Sequence, residues 1–374
     1  MAGLYVHIPF CKRRCNYCDF YSTTEVGLAD EYMKCLRNEL IARRQELEGR
    51  LVETIYFGGG TPSQIDVCKL SEFMDYVSSE FVISPNAEVT MELNPDDVSE
   101  ELVAQMKRSR FNRVSIGIQS FHDDDLVLLD RRHNSDEALA AIRKIQDAGI
   151  KNISLDLMYG IPDLSYDKWA YNLDVVSQLE IQHLSAYSLS YYENTKITEL
   201  SKNKIVTPAT EDDYALQFYM LTNWAEKNNF DHYELANLAK QGYQSKHNSS
   251  YWKGAPYVGL GASAHSYNGT NIRSSNSTSL SEYLKKKGDC QSVEKLSLVD
   301  RYNEYVLCLS RTMWGIDANY VLEFFGKDLH KRLMKKLEKL LKKQLLVGNQ
   351  LSPYVPTKKG YLLSNIIAEE LMEI

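Results

Sequence analysis

The sequence predicts an α/β fold: an open six-unit (β/α) partial TIM barrel, followed by a C-terminal, mostly helical, winged-helix-like domain. Short β-rich apolar runs alternate with helical periodicity six times before about residue 190. That pattern calls for parallel strands joined by right-handed crossovers, and six units fall short of the eight in a closed barrel. The polar motifs recur at the carboxyl ends of these runs, where α/β barrels hold ligands.

The strands are expected at Leu4–Ile8, Thr54–Phe57, Glu88–Glu92, Arg113–Ile118, Ile153–Met158 and Leu184–Leu189. Between them, helical spacing covers Ala29–Leu47, Lys69–Phe81, Glu101–Lys107, Asp136–Ala148 and Tyr166–Leu179. In the first of these, Tyr32, Leu36, Leu40 and Leu47 fall near one face. From 196 to 290 the regularity fades, and the segment is expected to cover the barrel. Within it, Gly269–Ser281 is rich in Asn, Ser and Thr and reads as a loop. Helices return at Asp300–Thr312, Asp317–Phe325 and Leu329–Leu345, then a hairpin near Gly348–Pro356 and one last helix from Lys359 toward Leu371. The expected domains are therefore 1–195, 196–290 and 291–374.

The chain has 374 residues, 44% hydrophobic and 25% charged, ordinary values for a globular protein. Its net charge of −7 argues against broad nucleic-acid binding, which needs a cationic footprint. No apolar run reaches the roughly 20 residues of a membrane span. Seven cysteines with no export signal point to reduced thiols and a cytoplasmic location.

Cys11, Cys15 and Cys18 stand at Cys-x3-Cys-x2-Cys spacing directly after the first strand. Three soft thiolates on a tight loop can hold three irons of a [4Fe–4S] cube, leaving one iron open to a small molecule. Zinc sites usually pair their cysteines, and Cys35, Cys68, Cys290 and Cys308 stand far away and unpaired. The spacing resembles the radical S-adenosylmethionine (SAM) superfamily, in which an aromatic residue, here Tyr17, precedes the third cysteine. The resemblance implies that SAM chelates the fourth iron and is cleaved on reduction to a 5′-deoxyadenosyl radical, chemistry that belongs to the cofactor.

The same resemblance implies a set of SAM contacts. Tyr5 lies six residues before Cys11. In Gly58-Gly59-Gly60-Thr61-Pro62, Gly59, Gly60 and Thr61 would meet the methionine amino group. Taken alone, the glycines read as a sharp turn or as backbone open to a ligand. Glu92 and Gln119 follow in Glu-Leu-Asn-Pro and Ile-Gln-Ser-Phe, and Ser190 follows strand six. Arg131 would pair with the SAM carboxylate, with Asp130 standing where glycine is usual. Asp156 is a carboxylate in an apolar strand and needs a partner; a ribose hydroxyl or Arg131 would serve.

Tyr-x-His-Ile-Pro-Phe-Cys, Phe-Gly-Gly-Gly-Thr-Pro and Asp-Leu-Met-Tyr-Gly-Ile-Pro narrow the resemblance to the oxygen-independent coproporphyrinogen III oxidase-like family. The oxidase carries a fourth cysteine two residues after the third; here that position is Phe20. Cys-Asp-Phe and His247-Asn-Ser-Ser-Tyr251-Trp252 resemble instead the HemW-like heme chaperones of that family. A neutral imidazole is a good heme ligand, so His247 is a candidate axial ligand, with Tyr251 and Trp252 as flat porphyrin contacts. The alternative for this motif is a structural histidine and packing aromatics. His265 is a second candidate.

The function expected is a chaperone that carries heme as cargo to acceptor hemoproteins, including respiratory ones, with an electron donor such as flavodoxin or ferredoxin. No residue is assigned a catalytic role. The alternatives are radical decarboxylation of coproporphyrinogen III and a radical SAM reaction on another substrate. The resemblance leaves room for a homodimer. The lysine-rich His330–Lys343 leaves room for peripheral membrane contact; a core-packing helix with a solvated lysine face is the simpler account.

Overall fold

The computed structural model describes residues 2–47 and 49–373. Six strands, β1 (Ala2–Ile8), β2 (Val52–Gly59), β3 (Ile83–Leu93), β4 (Arg113–Gln119), β5 (Asn152–Tyr159) and β6 (His183–Ser188), pair in sequence order and in parallel. The crossovers carry α1 (Ala29–Ala42), α2 (Val67–Glu80), α3 (Glu100–Arg108), α4 (Asp123–Leu128), α5 (Ser135–Asp147) and α6 (Tyr166–Gln178). Side chains that end these turns also start the helices. Asp66, Ser99, Asn134 and Ser165 each accept from a backbone N–H of the first turn, satisfying donors the helix leaves free.

Through their middles the strands alternate. Leu4, Val6, Ile55, Phe57, Val89, Met91, Val114, Ile116, Leu155 and Leu157 are buried in the apolar core shared with the helices. The opposite face carries Tyr5, His7, Thr54, Tyr56, Glu88, Glu92, Arg113, Ser115, Ser154 and Asp156. A parallel strand buried on both sides usually reads as continuously apolar. Here the inner face is polar, so the sheet encloses a hydrogen-bonding interior.

Past the barrel come α7 (Lys196–Lys202), α8 (Glu211–Lys227), β7 (Asp231–His232), β8 (Asn237–Ala239), α9 (Lys246–Trp252), β9 (Tyr257–Leu260), β10 (His265–Tyr267), β11 (Ile272–Asn276), α10 (Leu280–Lys285) and β12 (Gln291–Lys295). They extend both edges of the sheet, whose order is β12-β11-β10-β9-β1-β2-β3-β4-β5-β6-β8-β7. The loop expected at Gly269–Ser281 is therefore corrected: it contains β11, paired on both sides, and the start of α10. Its polar residues make buried bonds. Asn276 Nδ2 donates to Glu39 Oε1 and to the Gly261 carbonyl, both at 2.7 Å.

A second core forms among α11 (Leu298–Leu309), α12 (Ala318–Phe325), α13 (Lys327–Lys342), the hairpin β13 (Leu346–Asn349) and β14 (Ser352–Pro356), and α15 (Ser364–Leu371). The final helix is two, α14 (Lys358–Leu362) and α15, broken at Leu363. The break lets Tyr361 join the barrel core while Ile367 and Leu371 join the second. On α13, Leu333, Leu337 and Leu340 are fully buried. Arg332 and Lys336 pair with Glu373, and Lys339 with Glu370.

Candidate functional site

The three cysteines hang on a loop fastened at several points. Cys11 N donates to Thr23 O at 2.9 Å, Asn16 N to Leu129 O at 3.1 Å and Asn16 Nδ2 to Leu128 O at 2.8 Å. Ile197 N of α7 donates back to Asn16 O at 2.9 Å. All three thiols are free and half-buried. Burial raises the pKa of Cys11, and that of Cys18 to about 11.

Residues from neighbouring strand ends meet the sulfurs. Cys11 Sγ lies 3.4 Å from Thr61 Oγ1, which accepts from Asn94 Nδ2 at 3.0 Å. Arg131 NH1 donates to Cys15 Sγ at 3.4 Å; its NH2 donates to Asn94 Oδ1 at 2.7 Å and to Gly117 O at 2.5 Å. Arg131 Nε is buried without a protein partner. Arg131 therefore ties the cysteine loop to the ends of β3 and β4, and Asp156 finds another partner. Ser115 Oγ donates to Asp156 Oδ1 at 3.1 Å, so the Arg131 alternative for that carboxylate is corrected.

Glu92 sits deeper. It accepts from Tyr56 Oη at 2.8 Å and from Gly59 N at 3.1 Å. Burial raises its carboxyl from 4.5 to about 7, and the Asp156 charge adds to this against the Tyr56 bond. Tyr5 Oη lies 3.0 Å from His7 Nδ1, and His7 Nε2 lies 3.0 Å from the Tyr21 carbonyl. A carbonyl only accepts, so Nε2 carries the proton and Nδ1 accepts from the tyrosine. Burial lowers the His7 pKa to about 4, keeping the ring neutral.

The glycines have protein against them. A Cβ at Gly59, whose φ is +111°, would strike the His7 ring at 2.4 Å, and one at Gly60 would strike Pro9 at 2.7 Å. Their lack of a side chain lets β2 turn closely under the end of β1. Gln119 ends β4 with φ +73° and is buried, its side chain over Gly117. Tyr17 packs against the core. Ser190 lies exposed, two residues past β6.

His247 is placed elsewhere. Glu88 accepts from its backbone N–H and from that of Lys246, holding the start of α9 against β3. The ring is 1% exposed and stacks on Tyr56 at 5.0 Å. Nδ1 is 2.8 Å from Thr54 Oγ1, and Nε2 is 2.7 Å from Tyr251 Oη. Burial lowers its pKa to about 3. Both nitrogens are engaged inside the barrel, Nδ1 by Thr54 and Nε2 by Tyr251. Tyr251 serves as its partner, and Trp252 is half-buried.

Sequence reasoning missed Asn94, Asp97 and Arg113. Asn94 and Asp97 follow Glu92 in a stretch singled out for the glutamate alone. Arg113 is 1% exposed in the polar interior, with Nε unpaired. Only the strand's inward phase would have found it.

The donor set fits a [4Fe–4S] cluster. Three thiols share one loop beside a cation, and a buried guanidinium nitrogen is free to donate. Among the described residues, no three His, Cys, Asp or Glu side chains lie close enough to hold a single ion.

Residues 5–175 match the Radical SAM superfamily. The chain is 30% identical to the heme chaperone HemW of Bacillus subtilis (strain 168), across 98% of this chain and 97% of that protein. The chain belongs to the HemW family of the radical SAM superfamily. The Escherichia coli (strain K12) heme chaperone HemW is 36% identical over 70% of this chain and 69% of its own length. In fold, the chain matches coproporphyrinogen III oxidase (HemN) from Escherichia coli, a radical SAM enzyme, with a TM-score of 0.84. That match has 21% identity and covers 99% of this chain and 89% of that one. Radical SAM proteins use a [4Fe–4S] cluster and SAM, and the HemW family shares that equipment.

Proposed function

We propose that this protein is a heme chaperone, which binds heme and transfers it to acceptor hemoproteins. The observation that carries the reading is end-to-end similarity to the HemW chaperone of Bacillus subtilis. Phe20 supports it, since the position of the oxidase's further cysteine holds an exposed phenyl ring here.

Cys11, Cys15 and Cys18 would hold the cluster. Tyr5, Tyr17, Gly59, Gly60, Thr61, Glu92, Gln119, Arg131, Asp156 and Ser190 would surround SAM. When bound, the cluster and SAM supply one-electron chemistry. The chain's own residues orient and neutralise. Arg131 offsets sulfur charge, Glu92 and Asp156 present carboxylates to a cationic ligand, and Asn94 fixes Thr61 against Cys11. Respiratory acceptors, a flavodoxin- or ferredoxin-type electron donor, a cytoplasmic location, a homodimer and a peripheral membrane contact belong to the same proposal. No helix among the described residues is long and apolar enough to cross a membrane.

The test is anaerobic reconstitution, followed in parallel by heme titration and a coproporphyrinogen assay with SAM and reductant. Heme binding and transfer without product are expected. Formation of protoporphyrinogen would make the protein the oxidase instead.

A further inference from the structure

Arg113 opens β4 on the face turned into the barrel and is 1% exposed. It pairs in register with Thr90, Thr90 with Tyr56, and Tyr56 with Tyr5, so these four residues form one rung across four strands. Two residues further along the same faces stand Glu92 on β3 and Ser115 on β4, themselves register partners. Successive inward residues of a strand are about 7 Å apart, within the reach of an arginine stem. Ser115 Oγ donates to Asp156 Oδ1 at 3.1 Å, which brings a second carboxylate to the level of Glu92.

The protein gives this guanidinium no bonded partner. Among the described residues its side chain makes no hydrogen bond and no ion pair, and Nε is wholly buried. Other buried arginines are tied down: Arg43 to Glu39 and Glu46, Arg131 to Asn94 and the Gly117 carbonyl. A buried cation is costly to desolvate unless opposite charge offsets it. Three carboxylates share the inner face near Arg113. Glu88 is occupied by the backbone N–H groups that open α9, which leaves Glu92 and Asp156. Burial raises both of these carboxyls, and for Glu92 the Asp156 charge adds to the rise; the Arg113 charge draws both down. Arg131, fixed to the cysteine loop, is the other cation acting on Asp156. The remaining titratable groups facing the three are neutral. Burial keeps the phenols of Tyr5, Tyr17, Tyr56, Tyr187 and Tyr233 protonated. It also keeps the rings of His183 and His247 uncharged, and Arg113 adds to that effect.

We propose that Arg113 is a positioning residue of the SAM site: from one rung beneath, it is the counter-charge that favours the ionised form of Glu92 and Asp156 toward a cationic ligand. The proposal rests on the placing of SAM against those two carboxylates. SAM carries a permanent sulfonium charge, which an ionised carboxylate attracts and a protonated one does not. An arginine holds its own charge at any working pH, so it biases its neighbours without titrating itself. The lack of a direct bond between them matters. A bidentate fork would take up the carboxylate lone pairs. A charge acting from a distance leaves them to accept from Tyr56, Gly59 and Ser115 and to meet a ligand. The same cation repels the sulfonium, so Arg113 helps SAM only where the carboxylates would otherwise hold a proton.

The test uses the full chain, reconstituted anaerobically, with SAM affinity measured across neutral and alkaline pH. Wild type is compared with Arg113→Met, Arg113→Gln and Arg113→Lys, with circular dichroism as the folding control; one folded neutral variant suffices. The ratio of variant to wild type at each pH cancels the titration of SAM itself. Arg113→Met and Arg113→Gln should weaken SAM by about tenfold near neutral pH and approach wild type at alkaline pH, while Arg113→Lys keeps the wild-type profile. An arginine with only a structural role would weaken SAM equally at every pH, and that result would overturn the proposal. Wild-type affinity throughout in the neutral variants would overturn it as well. In protein without cluster or SAM, infrared difference spectra should show the acid form of the carboxyls persisting about one pH unit higher in Arg113→Met, with Glu92→Gln assigning the Glu92 band. That infrared shift with no change in SAM affinity would also sink the proposal, by taking the carboxylates out of the SAM site. Heme titration of the wild type decides the chaperone reading separately.

Discussion

Lys12, the residue after the first cysteine of the cluster loop, donates from Nζ to Asp97 Oδ1 at 2.7 Å. Asp97 is nearly buried, and its other oxygen accepts from Ser63 Oγ at 2.8 Å and Gln64 Nε2 at 2.7 Å. Arg132 approaches Oδ1 at 3.4 Å. One carboxylate thus ties together the loops that follow β1, β2, β3 and β4. The cysteine loop is held before any cofactor arrives.

Asp97→Asn would turn an amide donor toward donors already in place. Lys12 is half exposed, so part of the loss is screened by solvent. The cost of stranding the buried partners is about 2–4 kcal/mol. Chemical denaturation should show this drop, and iron and sulfide content after reconstitution should fall with it. Unchanged stability and full iron content would refute the tie.

Glu39 plays the equivalent part on the other edge of the sheet. It accepts from Arg43 NH1, Gly261 N, Asn276 Nδ2 and Tyr283 Oη at 2.7–2.9 Å. Glu39→Ala leaves the Arg43 cation buried with fewer partners, which costs about 3–5 kcal/mol. Limited proteolysis should then cut within 259–290 sooner than in wild type. Equal protection would show that the hub is dispensable.

With Glu92 in the proposed SAM site, its raised carboxyl should make SAM binding pH-dependent. Its folded pKa of about 7 lies above the unfolded 4.5, so the folded state holds the extra proton between those values. Stability from this group is therefore full below about 4.5 and falls as pH rises to about 7. SAM is cationic at its ammonium and sulfonium and favours the ionised form. Its affinity should rise between pH 6 and 8, and Glu92→Gln should flatten the rise. A pH-independent wild-type titration would separate Glu92 from the SAM site.

His247→Ala removes a buried ring, two hydrogen bonds and a stack on Tyr56. A loss of about 2–4 kcal/mol is expected, with heme affinity and the cluster signal close to wild type in material that remains folded. Selective loss of heme binding at full stability would instead make His247 a heme ligand.

The six strands and five of the six crossover helices were legible because buried parallel strands and amphipathic helices carry different periods; the short α4 (Asp123–Leu128), with three aspartates in its first turn, was not. The cysteine loop was legible because three thiols stand within eight residues, Cys11 to Cys18. The use of Asn276 as a buried donor was hidden, since a polar run looks alike in a loop and in a strand that bonds to a hub such as Glu39.

By itself the sequence determined the alternating fold, the thiol donor set and the family resemblance, since these depend on spacing along the chain. Only the tertiary structure decided which partner each side chain meets. Arg131 went to Cys15 and Asn94, Asp156 to Ser115, and His247 into the barrel. Hydrogen bonds are short and directional, and these partners stand tens to hundreds of residues apart. Their pairing follows from how the strands are brought together, which no local pattern contains.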